Sequence, residues 1–278
     1  MRFLSVLLVV VATISVTAAK DKFQAADFVN RHLNSIGDEP ARAAVKNRMA
    51  QGAVIFRVVL GRVPQSWNGE QTFVSEGNRF ASLLKFPAAV NRSEWFVSDG
   101  RKTSIAQAGT GGWTALGRFV MVHSEILREG LWGGALSTGW ALSRWDGSGA
   151  KLEDRGFKKI DGRQLHRVDY VPKKGSDLTI ELYFETDSFR HVMTVYSSRI
   201  SGGLEPNASA SEAQGETRYE LEEHFSDFKN VDNLTLPGRW TIRFSYGDPS
   251  LASLNQYDVT EEKILHNVSL DPKNFELK

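Results

Sequence analysis

Apolar residues fall on every second position through residues 178–184, where Leu178, Ile180, Leu182 and Phe184 alternate with Thr179, Glu181 and Tyr183. The same period runs through Tyr219, Leu221 and Phe225, with Glu223 standing within the apolar series. It returns in Trp240, Ile242, Phe244 and Tyr246, where Arg239, Thr241, Arg243 and Ser245 hold the other face. A period of two marks strands with one buried and one wetted face. A one-sided antiparallel sheet must bury its apolar face under helices or a ligand.

Helical spacing comes first in the chain. Phe23, Ala26, Val29, Leu33 and Ile36 share a helix face, with Gly37 as a stop. Asp38 followed by Pro40 predicts a second helix start, continuing through residues 43–49 to a stop at Gly52. The period then becomes two, with Val54, Phe56, Val58 and Leu60 on one face. Turns at Asn68-Gly69, Glu76-Gly77-Asn78 and Asp99-Gly100 predict an up-and-down meander.

A helix is predicted over residues 116–129, ending at Gly130. Residues 131–140 are apolar but too broken by glycine to hold a helix alone, so they pack onto another element or move over it. A second meander turns at Asp161-Gly162 and at residues 186–188, and Asp232-Asn233 joins strands over residues 219–228 and 234–246. Residues 201–215 read as a long exposed loop, and residues 263–275 as a last strand. With neither repeat nor linker, two meanders around one helix predict a single continuous sheet, an α+β but mainly β fold.

Residues 1–19 have the layout of an export signal: Arg2, an apolar run over residues 3–12, and small residues before Lys20. The apolar stretch is shorter than the roughly 20 residues of a spanning helix. The expectation is a mature, soluble periplasmic chain of one domain, residues 20–278. The 278 residues contain no cysteine, which excludes disulfides, thiolate metal sites and a cysteine nucleophile. Stability must come from the core, and 16 Phe with 7 Trp supply one. The 34 basic and 33 acidic side chains balance, so the chain lacks the electrostatic footprint of a nucleic-acid partner.

The nearest approach to a nucleophile elbow is Ser137 in Ala-Leu-Ser-Thr-Gly, but a Gly-Gly turn precedes it and strand–helix alternation is missing. The six histidines show no one-turn helical spacing and read as scattered surface or edge positions. The Asp-Gly turns precede no phosphate-cradling helix start. No catalytic residue, metal set or cofactor site is expected. Asn91, Asn207, Asn233 and Asn267 open glycosylation sequons that matter only in a eukaryotic secretory route.

The second meander resembles a known family. Ile160-Asp161-Gly162-Arg163 leading to Tyr170-Val171-Pro172-Lys173 is similar to a strand pair of the bacterial outer-membrane lipoprotein-sorting proteins, the LolA-like superfamily. The likeness continues in Leu182-Tyr183-Phe184, in residues 189–192, in Phe225-Ser226-Asp227-Phe228 and in Leu236-Pro237. A glycine is usual in that family where Asn233 stands, and Asn tolerates the same turn.

The resemblance implies a curved antiparallel half-barrel with helices over its concave side. It also implies a soluble periplasmic carrier or receptor for a lipid or lipoprotein acyl chain, served by membrane-bound donor or acceptor proteins. The superfamily also holds envelope-stress sensors, so a protein-interaction module is the alternative. On this view Phe56, Phe80, Trp95, Phe184, Trp240 and Phe244 are rigid wall residues, with Val58, Ile180 and Ile242 between them. Leu131 and Trp132 belong to a lid, and Arg57 is the candidate for the family's lid-closing arginine. The same side chains also suit an ordinary filled core, and the sequence leaves both open.

Overall fold

The computed structural model describes residues 23–59, 65–90, 93–107, 113–200, 217–247 and 253–276. The predicted export signal and the predicted loop over residues 201–215 lie outside the described residues.

The helices are α1 (Ala25–Ile36), α2 (Glu39–Ala44), α3 (Ala115–Val122), α4 (Glu125–Arg128) and α5 (Trp145–Ser148). The first meander is β1 (Asn47–Val59), β2 (Gln65–Glu76), β3 (Arg79–Lys85), β4 (Glu94–Ser98) and β5 (Thr103–Gln107). The second contains β6 (Lys151–Ile160), β7 (Arg163–Val171), β8 (Thr179–Glu185), β9 (His191–Ile200) and β10 (Thr217–Ser226). It is followed by the short pair β11 (Lys229–Val231) and β12 (Leu234–Leu236), then β13 (Arg239–Gly247) and β14 (Ser253–His266).

Twelve strands form one curved, unclosed antiparallel sheet in the order β5-β4-β3-β2-β1-β14-β13-β10-β9-β8-β7-β6. The two meanders meet at β14, which pairs with β1 on one side and β13 on the other. Short β5 at one edge and β6 at the other, with Lys151, Lys158 and Lys159 along it, resist pairing with further strands.

Helices cover the concave side. Phe28 of α1 packs edge-on against Phe184 at 4.8 Å, and Phe119 of α3 lies 5.1 Å from Phe244. Asp38 caps α2, its carboxylate accepting from Ala41 N at 2.8 Å. Thr114 caps α3 while its hydroxyl donates to buried Glu94 on β4.

Several local expectations are corrected. The second helix ends at Ala44, and residues 47–52 are strand, because β1 pairs with β2 from Asn47 and with β14 from Arg48 onward. Gly52 is therefore not a helix stop. It lies where the register with β14 shifts, and an added Cβ there would collide with the Thr260 carbonyl. Asn68-Gly69 is not a turn but the interior of β2, held in a continuous twelve-pair register with β1. The helix over residues 116–129 breaks into α3 and α4 at His123. Asp232 and Asn233 do form a tight turn, at φ 51° and 63°, but it closes the small β11–β12 hairpin. The last strand begins at Ser253, ten residues earlier than expected, and ends at His266.

Candidate functional site

Residues 131–140 cross the covered face of the sheet as a strap. Gly130 opens it at φ 78°, and its carbonyl accepts from Ala141 N at 3.0 Å, closing the loop at its base. A side chain at Gly130 would strike the Gly139 carbonyl, so only glycine allows that closure. Leu131, Trp132 and Leu136 are fully buried and Trp140 nearly so. Trp132 lies 4.8 Å from Phe96 and 5.3 Å from Trp240, while Trp140 stacks on His191 at 4.8 Å. The strap thus spans the inner face from β4 to β9.

Its backbone hangs on a few polar side chains of the sheet. Arg48 Nη1 donates to Ala135 O at 2.6 Å and to Leu136 O at 3.1 Å. Arg48 Nε donates to His266 Nε2 at 3.0 Å, which leaves His266 Nδ1–H to donate to Asp232 Oδ2 at 2.8 Å. Burial lowers the Arg48 pKa to about 10. Glu223 accepts from Gly133 N at 2.8 Å, Trp240 Nε1 at 3.0 Å and Tyr196 OH at 2.7 Å. Desolvation dominates these bonds and pushes its carboxyl up to about 7. Ser75 Oγ accepts from Thr138 N at 3.0 Å, and His32 Nε2 accepts from Trp140 Nε1 at 2.8 Å.

Half of the histidines depart from the expected surface or edge positions. His32, His123 and His191 are buried, and the His32 and His191 rings lie 6.3 Å apart around Trp140. His32 Nδ1–H donates to Phe189 O at 3.0 Å, and burial depresses its pKa to about 4. His191 lies well below the usual range for the same reason. Each is therefore neutral and structural. Ser137 is buried in the strap with its hydroxyl accepting from Gly139 N at 3.1 Å, and neither of these imidazoles bonds it.

The inner face gathers most of the wall residues singled out by alternation. Phe56, Phe80, Ile180, Phe184, Trp240, Ile242 and Phe244 are all buried in one cluster with Leu131 and Trp132, and partly buried Val58 packs at its margin. Trp95 does not join them. It stands on the opposite face of β4, half-buried beside Val74, Val97 and Phe275. Arg57 is also on the far face, paired with Asp258, so the arginine that holds the strap is Arg48.

Two recesses border this packed interior. One of about 280 Å³ lies between α1, α2 and the strap, lined by Leu33, Ile36, Arg42, Arg48, Thr138 and Trp140 among others. The second, about 260 Å³, is chiefly apolar and opens beside α3 between Phe119, Val122, Tyr219 and Tyr246. Phe244 lies behind it, 5.1 Å from Phe119 and 5.5 Å from Tyr246. Met121 and Val122 on the same helix, and Trp113 just before its cap, leave apolar surface exposed. Alternation had flagged Tyr219 and Tyr246 without assigning them a role, and nothing in the spacing singled out Phe119 as their partner.

No protein-family model matches the chain, and no curated protein matches it. Among solved structures it is similar to a putative outer membrane lipoprotein-sorting protein domain from Vibrio parahaemolyticus, with a TM-score of 0.51 at 10% identity, over 91% of this chain and 97% of that one. It is also similar to a DUF1329 family protein from Desulfovibrio piger, with a TM-score of 0.48 at 12% identity over the same shares of each chain. The likeness to the lipoprotein-sorting domain shows the fold: a curved, unclosed antiparallel sheet with helices over its concave side.

Proposed function

We propose that the chain is a non-enzymatic carrier or receptor that shelters a lipid or lipoprotein acyl chain against the inner face of its sheet. It acts in the periplasm as one unit, residues 20–278, after export through residues 1–19, and exchanges its cargo with membrane-bound donor or acceptor proteins. The observation that carries this reading is the strap: an apolar plug laid on an apolar wall and held by a small set of named hydrogen bonds. The recess beside α3 supplies an apolar entrance leading toward Phe244.

Magnitudes support an exchange of plug for ligand. Four large strap side chains, at about 2–3 kcal/mol each, contribute roughly 10 kcal/mol of burial. An acyl chain of about fifteen methylenes contributes roughly 12 kcal/mol at ~0.8 each. The two are close enough for a ligand to replace the strap without unfolding the sheet.

Native mass spectrometry of the protein recovered from a bacterial periplasm, with organic extraction of any adduct, tests the reading. A stoichiometric lipid or acylated peptide released on denaturation is expected. A clean ligand-free mass that persists after incubation with lipids and acylated peptides overturns it. Val122, 68% exposed at the entrance, offers a variant that leaves the core intact: Val122→Asp lowers uptake of a fluorescent fatty acid several-fold.

A further inference from the structure

A second cluster of chemistry-bearing side chains lies outside the strap. His123 caps the C-terminus of α3, α4 begins at Glu125, and the loop between β7 and β8 brings Asp177 against both. His123 Nδ1 is 3.3 Å from Asp177 Oδ1 and 3.8 Å from Glu125 Oε1, and the three atoms lie within 4.8 Å of one another. We propose that His123, Glu125 and Asp177 bind a divalent transition-metal ion of the zinc class, which clips the β7–β8 loop to the corner between α3 and α4.

The spacing fits the chemistry. Ligands about 2.0–2.2 Å from a tetrahedral ion stand roughly 3.3–3.6 Å apart. The observed separations reach that range with a closure of about 1 Å, which one exposed side chain can supply. Asp177 is that side chain, 77% exposed on its loop. The other two are fixed. The His123 ring is buried and packs 4.7 Å from Phe119, and Glu125 Oε1 accepts from Ser176 Oγ at 2.6 Å.

The Ser176 bond is the kind of outer contact that orients a ligating carboxylate. Ser176 also accepts from Leu178 N at 2.9 Å, so the loop that carries Asp177 is shaped around this corner. One imidazole nitrogen with two carboxylates suits zinc, whereas calcium and magnesium select all-oxygen sets. Three protein ligands leave a fourth position open to solvent. His123 also lines the apolar recess beside α3, so the ion would stiffen its rim. The site stands on its own geometry and does not require that the recess bind a lipid.

Titration of chelator-stripped full-length protein with zinc chloride, followed by calorimetry, tests the assignment. One equivalent is expected to bind. His123→Ala and Asp177→Asn each weaken binding at least about tenfold, and Ser176→Ala weakens it by about tenfold through the carboxylate it orients. His166→Ala, which removes a histidine paired with Asp154 elsewhere on the sheet, leaves binding unchanged. Asp177 is exposed on its loop, so Asp177→Asn remains decisive even if His123→Ala disturbs folding. No uptake by the parent protein, or uptake unaltered in Asp177→Asn, overturns the proposal.

Discussion

Glu223 occupies an apolar slot of β10, between Leu221 and Phe225, and is wholly buried. A carboxyl group there costs several kcal/mol unless it is protonated or fully bonded, and this one meets three donors from three parts of the molecule. Its pKa of about 7 lies above the ordinary carboxyl value, so between about pH 4.5 and 7 the folded chain holds a proton that the unfolded chain releases. Stability contributed by this group is therefore complete in acid and falls by about 3 kcal/mol as pH rises through that window. Glu223→Gln keeps an oxygen for Gly133 and Trp240 and presents an amide donor to Tyr196, so the variant folds. Urea titrations at pH 5 and pH 7.5 are expected to show the variant gaining about 3 kcal/mol relative to the parent between the two conditions. An unchanged difference would show that the carboxyl is ionised throughout. The interruption of the Tyr219–Leu221–Phe225 series by an acid was visible in the sequence. Its partners were not, because Gly133 and Tyr196 are brought to it only by the strap and by β9.

The strap is the element whose behaviour the sequence described best, apolar yet too glycine-rich to stand alone, and its anchors are the part that periodicity missed. Arg48 lies on the same strand as Arg57 and nine residues before it, so alternation puts one inside against His266 and the other outside against Asp258, but the helix expected over residues 43–49 hid Arg48 from that period. Tertiary pairing overrode local signals elsewhere. Asn68-Gly69 is a strong hairpin dipeptide, yet the unbroken pairing of β1 with β2 carries the chain straight through it. The inward positions of β14 read Asn255, Tyr257, Val259 and Glu261, so polar residues hide its alternation although all four are buried. Arg48→Met tests the latch directly. It removes both donors from the Ala135 and Leu136 carbonyls at a cost of about 2–4 kcal/mol. Hydrogen exchange is expected to rise across residues 131–141 while β7 and β8 stay protected. Equal loss of protection in all of these would mean that Arg48 supports the whole sheet rather than the strap.

Across the whole molecule the buried ionisable groups pull stability in opposite directions. His32, with a pKa near 4, and His191, also depressed, stay neutral when folded but take up protons when unfolded below pH 6.5, so their contribution is lost as pH falls. Glu223, at about 7, and Glu261, at about 8, hold protons when folded, so theirs is lost as pH rises from about 4.5. Glu261 is 1% exposed, and among the described residues neither of its carboxylate oxygens finds a hydrogen-bond partner. Between about pH 4.5 and 6.5 these two carboxyls are opposed by His32 and His191 and by His266, which burial also depresses, so the slopes largely offset one another there. Above that interval the histidines fall silent. Glu223 then contributes a further half unit of loss and Glu261 a unit and a half, together about 3 kcal/mol by pH 8. Below about pH 4.5 Glu223 and Glu261 are protonated in both states, and the depressed histidines, together with Glu222, whose carboxyl is lowered by its hydrogen bond with His224, make stability fall toward acid. Thermal unfolding from pH 4 to 9 should trace this flat-topped profile, and Glu261→Gln should remove most of the alkaline decline and tilt the level stretch upward with pH, leaving the limb below about pH 4.5 untouched. A parent curve that climbs steadily to pH 8 would show instead that both carboxyls are ionised inside the fold, with the strap held by a charged Glu223.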